Sequence, residues 1–307
     1  MRLGLAPRAL AAWPLLLVAA SCVPPAAPVS THPAATEDSG ATASQPARDV
    51  PLTYGSFFLF GTPQQGGLVR GQAPSGAQRV TLGGLDIPLT AGGEFLIAFD
   101  RDAAATAELV AHFADGHLIE KSIAVAPGIW RIEHVNAPWR GGASSDAEFA
   151  RRRPAELAEI AEARRVDHDV DGWRQTFRWP ATGRLSGFFG SQRVYQGKPG
   201  AYHSGTDIAL PAGTPFYAPA DGVVVLAATT PFTLEGNLLI VDHGMGLNSA
   251  FLHCQSLEVK VGDRVVQGQL LGTVGQTGRA TGPHLHWGMK WRDARLDPGT
   301  LAGPMPR

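Results

Sequence analysis

Hydrophobic and polar positions alternate over much of the chain, and the alternation breaks at glycine pairs. Arg79-Val80-Thr81-Leu82 is followed by Gly83-Gly84 and then by Leu85 to Leu89. Gly92-Gly93 precedes Phe95 to Phe99, and Leu109–Phe113 with His117–Val125 flank Asp115-Gly116. Period-two runs joined by such turns predict hairpins. Ser145 to Arg165 instead keeps Leu157, Ile160 and Ala161 at helical spacing, with Ser145 or Asp146 as a cap and Glu148 in the first turn. Pro154 is expected to start a second helical piece, because a helix interior rejects proline. Arg151-Arg152-Arg153 reads as a solvated face, or as a patch attracted to an anionic envelope polymer or lipid. Beyond Trp179 strand-like runs return at Asp207–Leu210, Gly222–Ala227, Asn237–Asp242, Gly246–Leu252, Glu258–Val261, Gln269–Val274 and His284–Met289.

The N-terminus follows other rules. Behind Arg2 and Arg8 an apolar run covers Ala9 to Ala20. It is shorter than the ~20 apolar residues of a spanning helix and reads as a signal peptide, residues 1–21. Val18-Ala19-Ala20 suits an ordinary signal peptidase. Ala19-Ala20-Ser21-Cys22 resembles a bacterial lipobox, imperfect at Ala19, in which Cys22 would carry lipid. Residues 22–49, rich in Pro, Ala, Ser and Thr, cannot bury a core and are expected to be a disordered tether. A tether directly after a cysteine favours a lipoprotein in the periplasm, anchored to a membrane, the outer one above all. The remaining division is an Ig-like β-sandwich at 50–138, a short helical linker at 139–178 and a second β-domain at 179–300. The fold class is all-β.

Composition narrows this picture. The 307 residues carry 26 Lys+Arg against 27 Asp+Glu, a net charge of −1, so no global basic signature points to nucleic acid. Hydrophobic residues at 44% exclude whole-chain disorder. Two cysteines exclude a disulfide scaffold or a Cys-rich metal module. Gly and Pro, 37 and 24, favour short strands and many turns.

Ten histidines remain to be explained. His203 and Asp207 are four apart, an even spacing that can share one face of a strand. His284 and His286 also share a face, with Leu285 and Trp287 on the other. Two imidazoles and a carboxylate suit zinc, which at a catalytic site takes three protein ligands and leaves a position for water. Spacing alone leaves metal binding open. Cys254 reads as a small buried filler, with a fourth, site-closing ligand as the alternative. His243 in Asp-His-Gly reads as structural. His32, His112, His117, His134 and His168 have no case for chemistry.

His203-Ser-Gly-Thr-Asp207 with Gly282-Pro-His284-Leu-His286 resembles the zinc endopeptidases of the lysostaphin and LytM type, family M23. Gly187-Phe188-Phe189-Gly190, Gly213-Thr214-Pro215, Ala218–Val224, Asp242-His243-Gly244 and Gly275–Gly278 agree in order, from Trp179 to Pro298. The resemblance implies Zn2+ on His203, Asp207 and His286, with His284 and His253 as catalytic histidines. Where relatives have Leu after that last histidine, this chain has Cys254. It also implies a metalloendopeptidase that cuts peptidoglycan stems or cross-links; for a Gram-negative source the bond would be D-alanyl to diaminopimelate, a choice the residues do not themselves read out. Two other readings stay open: a non-catalytic M23-like regulator that activates an amidase, and a lipoyl-type carrier suggested by Lys260–Gln269. The segment Val194–Ala201 is expected to be a lid or a wall of the substrate site.

Overall fold

Two four-stranded antiparallel sheets open the structure, a computed structural model that describes residues 52–54, 57–137, 147–228 and 230–306. The expected signal peptide, the tether with Cys22 and His32, and the Ser145–Asp146 cap lie outside the described residues. The strands are β1 (Leu52–Tyr54), β2 (Phe57–Phe60), β3 (Leu68–Gln72), β4 (Arg79–Leu82), β5 (Leu85–Ile87), β6 (Glu94–Ala98), β7 (Thr106–His112) and β8 (Leu118–Ala124). Their orders are β1-β2-β3-β6 and β5-β4-β7-β8. Phe57, Leu59, Val69, Phe95 and Ile97 of one sheet share a buried cluster with Val80, Ile87, Leu109, Ala111 and Ile123 of the other. Leu82 pairs with Leu85 across Gly83 (φ 56°) and Gly84 (φ 81°). Two left-handed residues in a two-residue loop are what this tight hairpin requires.

The next strand, β9 (Ile132–Val135), joins neither sheet. It pairs in parallel with β11 (Gln192–Tyr195), sixty residues on, so the first region feeds a strand into the second. Between them α1 (Ala147–Ala163) runs unbroken through Pro154, contrary to the expected second helical piece. Pro154 has no N–H for the Ala150 carbonyl. Contacts on both sides of it keep the helix straight in register: Arg152 reaches the Pro231 carbonyl, Arg153 binds Glu235, and Glu156 accepts from Thr233 N and Oγ1 at 2.8 and 2.6 Å. Arg152 and Arg153 are therefore docking groups and not a solvated face.

The remaining strands are β10 (Arg184–Gly187), β12 (Lys198–Pro199), β13 (Thr206–Ala209), β14 (Pro215–Tyr217), β15 (Gly222–Ala227), β16 (Asn237–Asp242), β17 (Leu247–Cys254), β18 (Ser256–Leu257), β19 (Arg264–Val265), β20 (Leu270–Thr273), β21 (His284–Trp291) and β22 (Ala294–Leu296), followed by α2 (Pro298–Ala302). Glu258–Val261 is not the expected strand. Lys260 N donates to Asp263 Oδ2 and closes a turn there, which leaves Val261 exposed.

The main sheet is ordered β10-β13-β21-β17-β16-β15-β19, with β22 on β21. One face packs Leu239, Val241, Phe251, Leu285 and Trp287 toward the small β14-β20-β18 sheet. The other packs Val225, Leu238, Ile240 and Ala250 under Ile160 and Ala163 of α1. Among the described residues no helix is long and apolar enough to cross a membrane.

Candidate metal centre

Pairing register places the key side chains. β13 and β21 set Asp207 opposite His286 and Ala209 opposite His284. Leu285 and Trp287 go to the core, so both histidines emerge on the face that α1 partly covers. His203 is not on β13 but in the loop before it. There its N donates to Ser191 O, and its carbonyl accepts from Gly190 N.

His203 Nε2, Asp207 Oδ1 and His286 Nδ1 form a triangle. His203 Nε2 lies 3.1 Å from each of the other two atoms, which are 2.9 Å apart. A tetrahedral face of ligands at zinc distances has edges of about 3.3 Å, so the donor set and its spacing fit such an ion. His203 Nδ1–H donates to the Phe188 carbonyl at 3.2 Å, which leaves Nε2 as the ligating atom. Burial opposes ionisation of Asp207, but hydrogen bonds from His203 and His286 hold its carboxyl well below the usual carboxylate range. Burial likewise opposes protonation of His203, and Asp207 overrides it and raises the imidazole. Burial lowers His286.

His284 and His253 flank this triangle. Each donates Nδ1–H to a carbonyl at 2.8 Å, of Gly282 and Thr277 respectively, so Nε2 is left for the site. Their ring centroids are 4.8 Å apart, and burial pushes His253 down to about 4. Strict alternation along β17 would send His253 to the core, because its neighbour Leu252 faces His286. A bulge prevents this. Leu252 and His253 together oppose Leu238 alone, and His253 takes φ 63°, a left-handed conformation rare outside glycine. Bulges next to sites re-aim side chains in this way.

Several supporting residues were not evident from the sequence. Gly187 and Gly205 press on the triangle: a Cβ on Gly205 would stand 2.6 Å from His286 Nε2. Glu235 passes its carbonyl to His253 N and its carboxylate to Arg153. Of these, only Gly187, in its Gly-rich text, and Gly205, inside the His203–Asp207 motif, carried a signal in the sequence. Cys254 is fully buried, donates to the Phe251 carbonyl and has its thiol pushed up to about 12, which makes it core. His243 is buried between Asp221 O and Ser249 Oγ. His168 binds Asp242, His112 lies beside Thr81 and Arg79, His117 packs on Phe113, and His134 lies exposed on β9.

Two cavities meet at the triangle. One, about 770 Å³, is lined by His203, Asp207, Phe188, Tyr195 and Ile132. The Val194–Ala201 hairpin and β9 thus form part of its wall. The other, about 820 Å³, reaches His286 and Ser204 and runs under α1.

An open three-donor face with two further imidazoles, set on a β-sheet between two cavities, defines a candidate metal centre. A family model, peptidase family M23, matches residues 201–298. A solved M23 peptidase structure from Pseudomonas aeruginosa superposes with a TM-score of 0.60 at 30% identity, covering 79% of this chain and 96% of that one. The peptidoglycan DD-endopeptidase ShyA of Vibrio cholerae is 40% identical over 125 residues, 39% of this chain and 29% of its own. The cell division protein DipM of Caulobacter vibrioides is 37% identical over 148 residues, 48% of this chain and 23% of its own. The chain spans less than a third of the length of these two curated relatives. It belongs to peptidase family M23.

Proposed function

We propose that this chain is a zinc-dependent endopeptidase that hydrolyses peptide bonds in peptidoglycan cross-links or stem peptides. The observation that carries this is the His203–Asp207–His286 triangle with the Nε2 atoms of His284 and His253 beside it. Bound zinc supplies Lewis acidity, which brings water to a pKa of about 7 and polarises a carbonyl. His284, held at Nδ1 by the Gly282 carbonyl, takes a proton from the attacking water at Nε2. As an imidazolium it hydrogen-bonds the oxyanion through Nε2–H and then passes that one proton to the leaving amine, which returns it to the neutral form. His253, held at Nδ1 by the Thr277 carbonyl and kept uncharged by burial, turns its Nε2 toward the same site. The ShyA name supports peptidoglycan as the polymer, and the D-alanyl–diaminopimelate bond is the proposed target.

Incubation of the mature protein with purified peptidoglycan, followed by mass spectrometry of the fragments, tests this. New amine and carboxyl ends that disappear with chelator and in His203→Ala are expected. Undiminished cleavage by a metal-free His203→Ala protein would overturn the mechanism. No cleavage by zinc-loaded protein would favour the regulator reading.

We also infer that residues 1–21 direct export and that Cys22 anchors the protein in the periplasm. Fatty-acid labelling lost in Cys22→Ser is expected, and equal labelling of both proteins would refute the anchor.

A further inference from the structure

The larger cavity carries charges that the hydrolytic chemistry does not use. Arg164 follows the last turn of α1, and its Nε is buried without a hydrogen-bond partner. A guanidinium offers five donors, and a buried donor such as this Nε without an acceptor is destabilising. No ion pair to Arg164 exists among the described residues. Glu235, the anion on the same wall, is committed to Arg153 through both oxygens, at 2.6 and 2.8 Å. Glu235 still acts on Arg164 from a distance, and Asp167 of the same lining accepts from Gly246 N at 3.2 Å, while the cations near Arg164 are Lys290 and Arg295, which line the same cavity. Lys290 has one carboxylate, Asp293 at 3.4 Å, which is fully exposed. Arg295 Nη1 donates to Tyr202 Oη, which donates in turn to Asp100. Burial first and Arg295 second push Arg164 down to about 10, and burial with Arg164 lowers Lys290. Three cations therefore converge on one wall of a cavity of about 820 Å³, and that cavity also reaches His286. Such a cluster is destabilising unless an anion joins it.

We propose that Arg164, Lys290 and Arg295 form an anion subsite that seats a carboxylate of the peptide substrate beside the scissile bond. This rests on the peptidase reading, under which the substrate is a peptide with carboxylates along it. A diaminopimelate residue at the cross-link keeps one carboxyl free, which suits a planar guanidinium. The proposal makes α1 part of substrate selection.

The test uses a cross-linked peptide dimer with the free diaminopimelate carboxylate, and the same dimer with that group amidated. Calorimetric binding is measured on the chelator-treated full chain, so it does not depend on hydrolysis. The wild type is expected to bind the free acid at least about tenfold more tightly than the amide. Arg164→Gln and Lys290→Gln should each shrink that ratio to below about threefold, through weaker binding of the acid alone. Arg164→Gln should also keep or raise the thermal midpoint, since it removes an unsatisfied buried donor and relieves the repulsion from Lys290 and Arg295; a purely structural arginine would lower it. Equal binding of both dimers by the wild type, or an unchanged ratio in both variants, would overturn the subsite. Hydrolysis by zinc-loaded wild type is scored separately. Cleavage without discrimination sinks the subsite and leaves the peptidase, and discrimination without cleavage does the reverse.

Discussion

Gly187 has no room for a side chain, because a Cβ there would stand 2.2 Å from Asp207 Oδ2. Gly187→Ala should therefore turn the carboxylate out of the donor triangle. A fall in zinc affinity of about tenfold or more is expected in a chelator competition, on the scale of other ligand-orienting changes. Unchanged affinity would show that the carboxylate can be held from elsewhere. His243 makes a second residue-scale case. Its Nδ1–H donates to Asp221 O at 2.7 Å, and its Nε2 accepts from Ser249 Oγ, which accepts from Trp287 Nε1. Both ring nitrogens are used by the neutral form, and burial pushes the imidazole down to about 4. An unfolded histidine titrates near 6.5, so the unfolded chain takes the proton first. Stability from this residue is complete above about pH 6.5, falls as pH drops toward 4, and levels off below it, by roughly 3 kcal/mol in all. Urea unfolding across that window should show a shallower slope for His243→Asn than for the wild type, and parallel curves would refute the assignment.

At the scale of elements, α1 is a clamp on the loop that supports the site. Arg153 to Glu235, and Glu156 to Thr233, fix the segment whose Glu235 carbonyl accepts from His253 N. Arg153→Ala would leave the Glu235 carboxylate, which is 8% exposed, without its partner. The expected loss is roughly 2–4 kcal/mol, and a double-mutant cycle with Glu235→Ala should return a coupling above about 1 kcal/mol. A coupling near zero would mean that the helix docks by Ile160 and Ala163 alone. The same elements show what a sequence can and cannot disclose. The β4–β5 hairpin was legible because Val80, Gly83-Gly84 and Ile87 state it within eight residues. Strand register converts the His284-x-His286 spacing into a shared face and sets Asp207 opposite His286, whereas His203 reaches the triangle from a loop held by Ser191 and Gly190, which the even His203-x-x-x-Asp207 spacing did not disclose. Passage through Pro154 was hidden, because its anchors sit eighty residues away. The outlet of His253 was hidden too, since alternation after Leu252 points to the core and only a bulge reverses it. The cation cluster around Arg164 was invisible, as α1 and β21 meet only in three dimensions.

The whole molecule is sewn together next to the site. Arg101 of the first region, 6% exposed, donates to the Gly190 carbonyl at 2.9 Å and to Gln192 Oε1 at 3.0 Å. Its guanidinium also lies against the rings of Trp130 and Tyr202. Arg101→Ala should cost roughly 2–4 kcal/mol, in the range for a buried, hydrogen-bonded charge. Hydrogen exchange should quicken at Gly190 and Gln192 while β17 stays protected; uniform quickening would indicate general loss of stability instead. The parallel pairing of β9 with β11 has a consequence for anyone who divides this protein. A fragment begun at residue 179 would carry β11 with its outer row of amides and carbonyls bare, at the lip of the cavity lined by His203 and Asp207. Bare strand edges recruit other chains and seed aggregates. The second region is thus no interchangeable cartridge: any splice, whether made by recombination or by a cloning primer, has to bring residues 132–135 along.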